Sequence, residues 1–322
     1  MSNLTLLFGM PRSGTSWLGK IFDSHENTLY RHEPDDRGLL NFMPFFPTAE
    51  DDAAVAPGVA AFVDGLWSRT EEKVVDSLPL FPKSYLAAPV RALRSAAVAA
   101  RKVAPRWVGM LPGPAHYQRL QGTGVHLVWK SIESLGRLGA VARVVPEARG
   151  ILILRHPCGF VASTLRGESG GKFEGNCAAA QDWPIFEKML ATPAALQAEL
   201  DLATVRSMTE PERLALRWAL YCEHAEREVA GSDRVQTVRY EDVCFDTHPM
   251  VERLFSHCGL HVGAQTRDFI DHSISREKSG YYSVVKDPKR SATKWQSELT
   301  PAQIEQVLGV TRRFPVGRHY PQ

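Results

Sequence analysis

The chain has 322 residues, of which 44% are hydrophobic and 23% are charged, the balance of an ordinary globular protein. Its formal net charge of +2 excludes a general attraction to nucleic acid, so any anion site must be a local cluster. The five cysteines form no CxxC pair, which predicts reduced thiols. The sequence has no long apolar run, so we expect no transmembrane segment. The first predicted strand starts at Leu4 and leaves no room for a signal peptide, which predicts a cytoplasmic protein. The near-neutral net charge predicts that the protein binds no nucleic acid.

The first predicted elements are a strand, a turn and a helix. The apolar run LTLLFG at residues 4–9 is typical of a buried parallel strand. A turn containing Gly14 leads into residues 15–25, which carry apolar side chains at helical spacing. The segment 28–34 predicts a second short strand, which Pro34 ends.

The rest of the chain alternates between predicted strands and helices. Residues 35–124 are rich in proline and predict an insertion of loops and helices. Further strands are predicted at 125–131, 150–155 and 234–242. Helices are predicted at 135–148, 156–167, 211–231 and 248–260, with a mobile glycine-rich loop at 167–176, a basic loop from 280 and a last helix capped by Thr300. This alternation predicts one α/β domain over 1–322 with a three-layer P-loop-type fold, a central parallel sheet flanked by helices on both faces.

The segment GMPRSGTSW resembles a phosphate-binding loop whose lysine is missing. Gly9, Gly14 and Ser16 keep the spacing of the Walker A motif, but Thr15 stands at the lysine position. A strand, a turn and a helix N-terminus form an anion cradle from backbone N–H groups, to which the loop adds hydroxyl donors and the guanidinium of Arg12. The missing lysine disfavours hydrolysis of a nucleoside triphosphate. The alternative is a tight turn in which the glycine serves packing alone.

The stretch PRSGTSW, residues 11–17, resembles the 5′-phosphosulfate loop of sulfotransferases that use 3′-phosphoadenosine 5′-phosphosulfate (PAPS). The resemblance implies that Arg12 contacts the bridging and sulfonyl oxygens of the donor. It implies that Gly14, Thr15 and Ser16 hold the 5′-phosphate, and it adds the motif residues Ser13 and Trp17 to the predicted donor site.

A second motif fits the 3′-phosphate of the same donor. The family pattern has R-x-P at the end of a strand and a serine eight residues after the arginine, and LILRHPCGFVAS matches it with Arg155 and Ser163. Arg155 follows a predicted strand, at the edge where open α/β sheets bind ligands. The alternatives are a helix-capping or ion-pairing role for Arg155 and a surface position for Ser163.

Two later segments extend the resemblance, which runs from Leu4 to about Trp295 apart from 35–124. It implies that Tyr240 in VRYEDV lies in a strand and borders the adenine. It also implies that the basic loop KDPKRSATKW closes over the 3′-phosphate through Lys289, Arg290 and Ser291. A core tyrosine and a solvated charged face are the alternatives.

Glu33, in YRHEPDD, is the predicted general base, because some members of the resembled family carry a glutamate here. Partial burial predicts a raised pKa for this carboxylate. His32 is the second candidate, but adjacent strand residues face opposite sides, so only one of the two is expected to reach the site. The alternative for Glu33 is an ion pair with Arg31 or Arg37.

Lys130, in VWKSI, is the third predicted catalytic residue beside Glu33 and Arg12. The resemblance implies that this lysine contacts the bridging oxygen or orients the acceptor. Ile132 stands where some members carry a histidine base, which favours Glu33. A surface lysine is the alternative.

The sequence therefore predicts transfer of a sulfuryl group from PAPS to a hydroxyl or amine of a small-molecule, glycan or lipid acceptor. The product of the donor is adenosine 3′,5′-bisphosphate, and no metal is required. Residues 35–124 are expected to shape the acceptor site. The basic stretch 91–106 either binds an acidic acceptor or membrane surface or packs on the domain. A P-loop kinase or NTPase and a noncatalytic nucleotide-binding module are the competing functions.

Overall fold

The computed structural model describes residues 3–36, 38–103, 120–170, 177–275 and 287–320, without the side chains of 99–103. In these ranges the strands are β1 (Leu4–Gly9), β2 (Thr28–His32), β3 (His126–Ser131), β4 (Ala148–Leu154) and β5 (Val235–Arg239). They form one sheet in the order β2-β3-β1-β4-β5, and every neighbouring pair is parallel. The sheet confirms the predicted parallel α/β fold.

Helices connect the strands and continue beyond the last of them. The α-helices of the described ranges are α1 (Thr15–Ser24), α2 (Asp52–Gly65), α3 (Glu72–Val75), α4 (Ala88–Val103), α5 (Leu138–Val144), α6 (Pro157–Ser169), α7 (Trp183–Leu190), α8 (Pro193–Gln197), α9 (Leu202–Ser207), α10 (Glu210–Val229), α11 (Tyr240–Phe245), α12 (Thr247–His257), α13 (Ala264–Ser275), α14 (Pro288–Thr293), α15 (Trp295–Glu298) and α16 (Pro301–Thr311). Short 3₁₀ helices span Ala49–Asp51, Leu66–Ser68, Leu135–Arg137, Ala179–Gln181 and Pro315–His319. No α-helix within these ranges has both the length and the hydrophobicity to cross a membrane.

Helices cover both faces of the sheet. Successive side chains of a strand point to opposite faces, and in β1 the side chains of Leu6 and Phe8 pack in one core cluster while Leu7 packs in another. The first cluster contains apolar residues of α2, α5 and α10, and the second contains those of α1, α12 and α13. The predicted three layers are therefore present.

The boundary before β4 differs from the prediction. The predicted helix 135–148 begins as a 3₁₀ turn and ends as α5 at Val144, and β4 starts at Ala148 rather than at 150. Pro146 explains the early end, because proline disfavours helical backbone in the residue before it.

Two predicted loops are partly helical. Helix α6 runs to Ser169, into the predicted mobile loop 167–176, and residues 171–176 lie outside the described ranges. The predicted basic loop forms α14 and α15 instead, because the Asp287 side chain caps α14 by accepting from the backbone N–H groups of Lys289 and Arg290. Residues 280–286 lie outside the description, and Thr300 caps α16 as predicted.

A buried charge cluster joins the segment between β2 and β3 to helix α1. The Asp23 carboxylate pairs with the ammonium groups of Lys20 and Lys83, and all three side chains are almost inaccessible to water. Lys83 also donates to the carbonyl oxygen of His25 at 3.0 Å and to Thr28 Oγ1 at 3.1 Å. Burial opposes ionisation of Asp23, but the two lysines outweigh it and lower the pKa of the carboxyl group. The cluster fixes the connection that leads into β2.

Replacing Asp23 by Asn should destabilise the protein by about 3–5 kcal/mol, because removing one partner of a buried ion pair leaves uncompensated charge. Urea denaturation followed by circular dichroism measures the change in the free energy of unfolding. The matched control is Asp268→Asn on the exposed face of α13, which should change that free energy by less than about 0.5 kcal/mol. Equal stability of the two variants would contradict this role of the cluster.

Candidate active site

The loop between β1 and α1 lies at the carboxyl edge of the sheet, where β1 is flanked by β3 and β4. Arg12 and Gly14 both have left-handed backbone, with φ of 69° and 88°. The N–H of Ser13 donates to the Met10 carbonyl at 3.1 Å, which closes the turn. A loop with alternating left-handed residues at a helix N-terminus forms a concave set of N–H donors for an anion.

Tyr240 packs directly against this loop. A Cβ atom at Gly14 would lie 2.3 Å from the tyrosine ring, so the left-handed position also requires glycine because of this close approach. Tyr240 is buried, meets Trp17 edge to face at 6.3 Å between ring centroids, and has the Arg155 guanidinium 5.0 Å from its own centroid. The ring thus contacts both predicted anion-binding segments.

The prediction that Tyr240 belongs to a strand is wrong. Strand β5 ends at Arg239, and Tyr240 is the first residue of α11. Glu241 and Asp242 explain the change, because acidic side chains in the first turn favour a helix start. Asp242 pairs with Arg239, and Glu241 Oε1 accepts from the His156 N–H at 3.0 Å.

Arg155 connects the loop to the end of the chain. Its Nη1 donates to the Arg12 carbonyl at 2.6 Å, and its Nη2 donates to the Ser291 carbonyl at 2.7 Å. Lys289 and Arg290 lie in α14 with exposed side chains, so in this segment it is the backbone that contacts Arg155. The structure therefore brings α14 to the predicted 3′-phosphate site as a helix rather than as a loop.

Arg12 lies closer to the second motif than the sequence predicted. Its Nε donates to Ser163 Oγ at 3.1 Å, so the cation assigned to the sulfonyl group contacts the serine assigned to the 3′-phosphate. Ser163 lies in α6 and is buried. Residues of the two predicted anion sites are therefore in direct contact at the carboxyl edge of the sheet.

Two buried donors of the predicted anion-binding motifs have no hydrogen-bond partner within the described ranges, namely Ser13 Oγ and Arg155 Nε. Buried polar atoms in native proteins are nearly always paired. Unpaired donors in both motifs are consistent with an anionic ligand. Thr15 is buried, Ser16 is half-buried, and the Trp17 indole N–H donates to Ser273 Oγ of α13 at 3.1 Å.

Glu33 follows β2 and faces a cation from the adjacent strand. It has left-handed backbone with φ of 49°, rare for glutamate, and its N–H donates to the Lys130 carbonyl at 2.8 Å. Its Oε1 contacts the fully buried Lys130 ammonium, and Oε2 lies 3.9 Å from Lys73 Nζ. Arg31 donates to the carbonyls of Leu66 and Trp67, and Arg37 lies outside the described ranges.

The predicted rise in the pKa of Glu33 is wrong. Burial does raise it, but Lys130, His32 and Lys73 together outweigh burial and lower the pKa below its ordinary value. Burial also lowers the pKa of Lys130, the deeper group, although Glu33 opposes this shift. The carboxylate is consequently ionised at neutral pH.

Asp35 anchors the turn that carries Glu33 and was not among the predicted site residues. Its buried carboxylate accepts from Trp129 Nε1 at 3.1 Å and from Ser131 Oγ at 2.5 Å. Trp129 and Ser131 lie two residues apart on β3 and therefore face the same side. Two features of the sequence could have indicated this contact. They are the acidic residue directly after Pro34 and the two hydrogen-bond donors, Trp129 and Ser131, at strand spacing.

His32 and Glu33 face each other rather than opposite sides of the sheet. His32 Nε2 lies 3.6 Å from Glu33 Oε1, because Glu33 has left the strand and strand alternation no longer applies. The Nδ1 atom of His32 is hydrogen-bonded to the Tyr30 hydroxyl at 3.0 Å. Burial, followed by the nearby Lys130 charge, lowers the pKa of His32 to about 3.

The sequence profile of the sulfotransferase family matches residues 5–263. This match extends over most of the chain and includes the loop, Glu33, Lys130, Arg155, Ser163 and Tyr240. The chain therefore belongs to the sulfotransferase family, and its P-loop-like α/β fold agrees with that membership. A search of curated proteins found no match.

Several solved sulfotransferase structures are similar to this chain. The sulfotransferase domain of the Synechococcus PCC 7002 olefin synthase is 16% identical, with a TM-score of 0.42, over 94% of this chain and 92% of that one. The sulfotransferase domain from the curacin biosynthetic pathway is 14% identical, with a TM-score of 0.46, over 96% and 97%. Mouse sulfotransferase SULT7A1 complexed with PAP is 12% identical, with a TM-score of 0.41, over 99% and 89%.

His32 should remain neutral in the folded protein from pH 8 to pH 5, because its pKa of about 3 lies below this range. The unfolded chain gains a proton near pH 6.5. The contribution of His32 to stability is therefore full above that value and is lost as the pH falls from about 6.5 toward 3. Titration of the imidazole nitrogen resonances by NMR, assigned with a His32→Gln variant, measures the pKa. A midpoint near 6 would contradict the buried, neutral assignment.

Proposed function

We propose that this chain transfers a sulfuryl group from PAPS to a hydroxyl or amine of an acceptor, with Glu33 as the general base. The observation that carries the proposal is the direct contact of Arg12 with Ser163 and of Arg155 with the Arg12 carbonyl beside the loop. Family membership supports sulfuryl transfer in general. Two arginine side chains from the two motifs, in contact with each other, support a donor that carries more than one anionic group.

The proposed donor site follows from the polar groups of the loop and of the second motif. The N-terminus of α1, with Thr15 and Ser16, suits the 5′-phosphosulfate, because free N–H groups at a helix start bind anions. Arg155 Nε and Ser163 suit the 3′-phosphate, with Arg12 between the two ends. Lys289, Arg290 and Ser291 border this end through α14, and Tyr240 supports the loop from below.

The reaction forms one bond to sulfur and breaks another. The acceptor oxygen or nitrogen attacks sulfur, and the bond between sulfur and the bridging phosphate oxygen breaks. Adenosine 3′,5′-bisphosphate leaves, and the acceptor proton passes to the Glu33 carboxylate. Such transfers depend mainly on positioning and on electrostatic stabilisation, which Lys130 and Arg12 provide.

Glu33 suits the role of base better than His32. The Glu33 carboxylate is ionised at neutral pH, so it can accept a proton. The His32 side chain is half-buried, but its Nδ1 atom is already engaged by the Tyr30 hydroxyl and its Nε2 atom faces the Glu33 carboxylate. A low pKa makes Glu33 a weak base until the acceptor arrives, and its contact with Lys130 is the physical cause.

The acceptor is proposed to bind beside Glu33, against residues of 35–124. Lys73 from this segment lies 3.9 Å from the Glu33 carboxylate and also pairs with Asp36. A small-molecule, glycan or lipid acceptor is consistent with this site. We propose that residues 35–124 belong to the single domain and shape the acceptor site. Of the basic stretch 91–106, Arg94 donates to the Val75 carbonyl, which supports packing on the domain.

A nucleotide panel tests the donor. Adenosine 3′,5′-bisphosphate should raise the melting temperature more than adenosine 5′-phosphosulfate, ATP or ATP with Mg²⁺, because stabilisation follows affinity for the folded state. The largest shift with Mg²⁺-ATP would instead support the kinase or NTPase alternative.

Arg155→Ala should weaken bisphosphate binding at least about tenfold in calorimetry, since a charge-assisted hydrogen bond is lost. The control is Arg149→Ala at the exposed amino end of the same strand.

Replacing Glu33 by Gln should lower kcat by ~10²–10⁴-fold, the usual contribution of a general base. The assay is ³⁵S transfer from labelled PAPS to a panel of acceptors: p-nitrophenol, 1-octanol, glucosamine and 2-naphthylamine. The control is Glu26→Gln, an exposed glutamate at the amino end of β2. Unchanged kcat in the Glu33 variant would refute its role, and absence of transfer together with absence of bisphosphate binding would refute the proposed function.

A further inference from the structure

Tyr30 and His32 form a chain of contacts that ends at Glu33. Both lie on β2, two residues apart and therefore on the same side of the strand. The Tyr30 hydroxyl meets His32 Nδ1 at 3.0 Å, and His32 Nε2 lies 3.6 Å from Glu33 Oε1. The hydroxyl is held against α1, since a Cβ atom at Gly19 would lie 2.5 Å from it. Glycine at that position makes room for the hydroxyl.

The surroundings of His32 decide which ring nitrogen carries its proton. A neutral imidazole has one N–H group, and the partner of each nitrogen selects the tautomer. The Glu33 carboxylate is acceptor-only when ionised, so it favours the proton on Nε2. Nδ1 is then the acceptor, and the Tyr30 hydroxyl donates to it.

We propose that Tyr30 and His32 are positioning residues for Glu33: Tyr30 fixes the His32 tautomer that presents Nε2–H to Oε1 of the carboxylate. This inference rests on the proposed function of Glu33 as the base. The role of Tyr30 and His32 is to orient that base, and neither needs to touch the acceptor.

The arrangement distinguishes the two oxygen atoms of Glu33. Oε1 is hydrogen-bonded to the Lys130 ammonium from β3 and lies 3.6 Å from His32 Nε2 of β2. Oε2 faces Lys73, whose side chain is half exposed, at 3.9 Å. Oε2 is therefore the oxygen that receives the acceptor proton, while Oε1 is held in place.

The tautomer is tested without any assay of activity. Long-range ¹H–¹⁵N NMR on the full chain should show His32 with a protonated Nε2 and an unprotonated Nδ1, and His32→Gln assigns the signals. In Tyr30→Phe the His32 pattern should shift toward a mixture of tautomers, because the donor to Nδ1 is gone. A protonated Nδ1 in the unsubstituted protein, or an unchanged pattern in Tyr30→Phe, would overturn the inference.

The positioning role is tested by separating turnover from donor binding, with the best acceptor of the panel. Tyr30→Phe should lower kcat by about 3–10-fold and His32→Met by about 10–30-fold, while the KM for PAPS stays within about twofold, since the interactions lost act on the base alone. His32→Gln keeps an N–H donor near Oε1 and should recover most of the loss in His32→Met. The control is Tyr85→Phe, which removes a hydroxyl that donates to the Thr28 carbonyl at 2.9 Å, away from Glu33.

The outcomes separate this inference from the function on which it rests. If the unsubstituted chain transfers sulfuryl groups and the His32 variants keep its kcat, the positioning role is refuted and the proposed function stands. Equal losses in His32→Gln and His32→Met would also refute it, because a retained donor would then have no effect. If no transfer and no bisphosphate binding are detected, the proposed function fails, and the NMR experiment still decides the tautomer.

Discussion

The hydrogen bond from Arg155 to the Arg12 carbonyl is the interaction on which the candidate site depends. It joins the turn after β1 to the end of β4, two neighbouring strands whose carboxyl ends meet at one edge. Because the guanidinium also reaches the Ser291 carbonyl and lies over the Tyr240 ring, one side chain sets the relative positions of four segments. Its fork of fixed N–H donors makes this possible, and lysine has no equivalent.

Around Glu33, which follows β2, and Lys130 of β3, burial and charge act in opposite directions on the ionisation of the two side chains. Removing Glu33 and Lys130 from water disfavours both charges, and their contact favours both. The balance leaves the carboxylate ionised and held next to a buried ammonium group. Asp35 fixes the turn through Trp129 and Ser131, and His32 Nε2 lies 3.6 Å from the carboxylate. The proposed role of Glu33 as the base requires a carboxylate whose position is restricted in this way.

Much of the fold could be predicted from the sequence. The strands at 4–9 and 126–131 and the cap at Thr300 follow from apolar runs and local hydrogen bonding, which depend on neighbours in the chain. The helices at 240–245 and 288–293 were missed although each has a start signal, an acidic first turn in one and the Asp287 cap in the other, because each is only six residues long and the family resemblance favoured a strand and a loop there. The pKa of Glu33 was predicted in the wrong direction, since its main opposing charge comes from a residue 97 positions away.

The sequence by itself determined the order of strands and helices, the loop motif with its missing lysine, and the presence of an arginine and a serine at family spacing. These are local patterns, and local physics is enough to interpret them. Only the tertiary structure decided that Arg12 reaches Ser163, that Tyr240 lies under the loop, and that His32 turns toward Glu33. Each of these contacts depends on the register of the strands and on a residue with left-handed backbone. The direction of a side chain at the edge of a sheet is fixed only when the whole sheet is assembled.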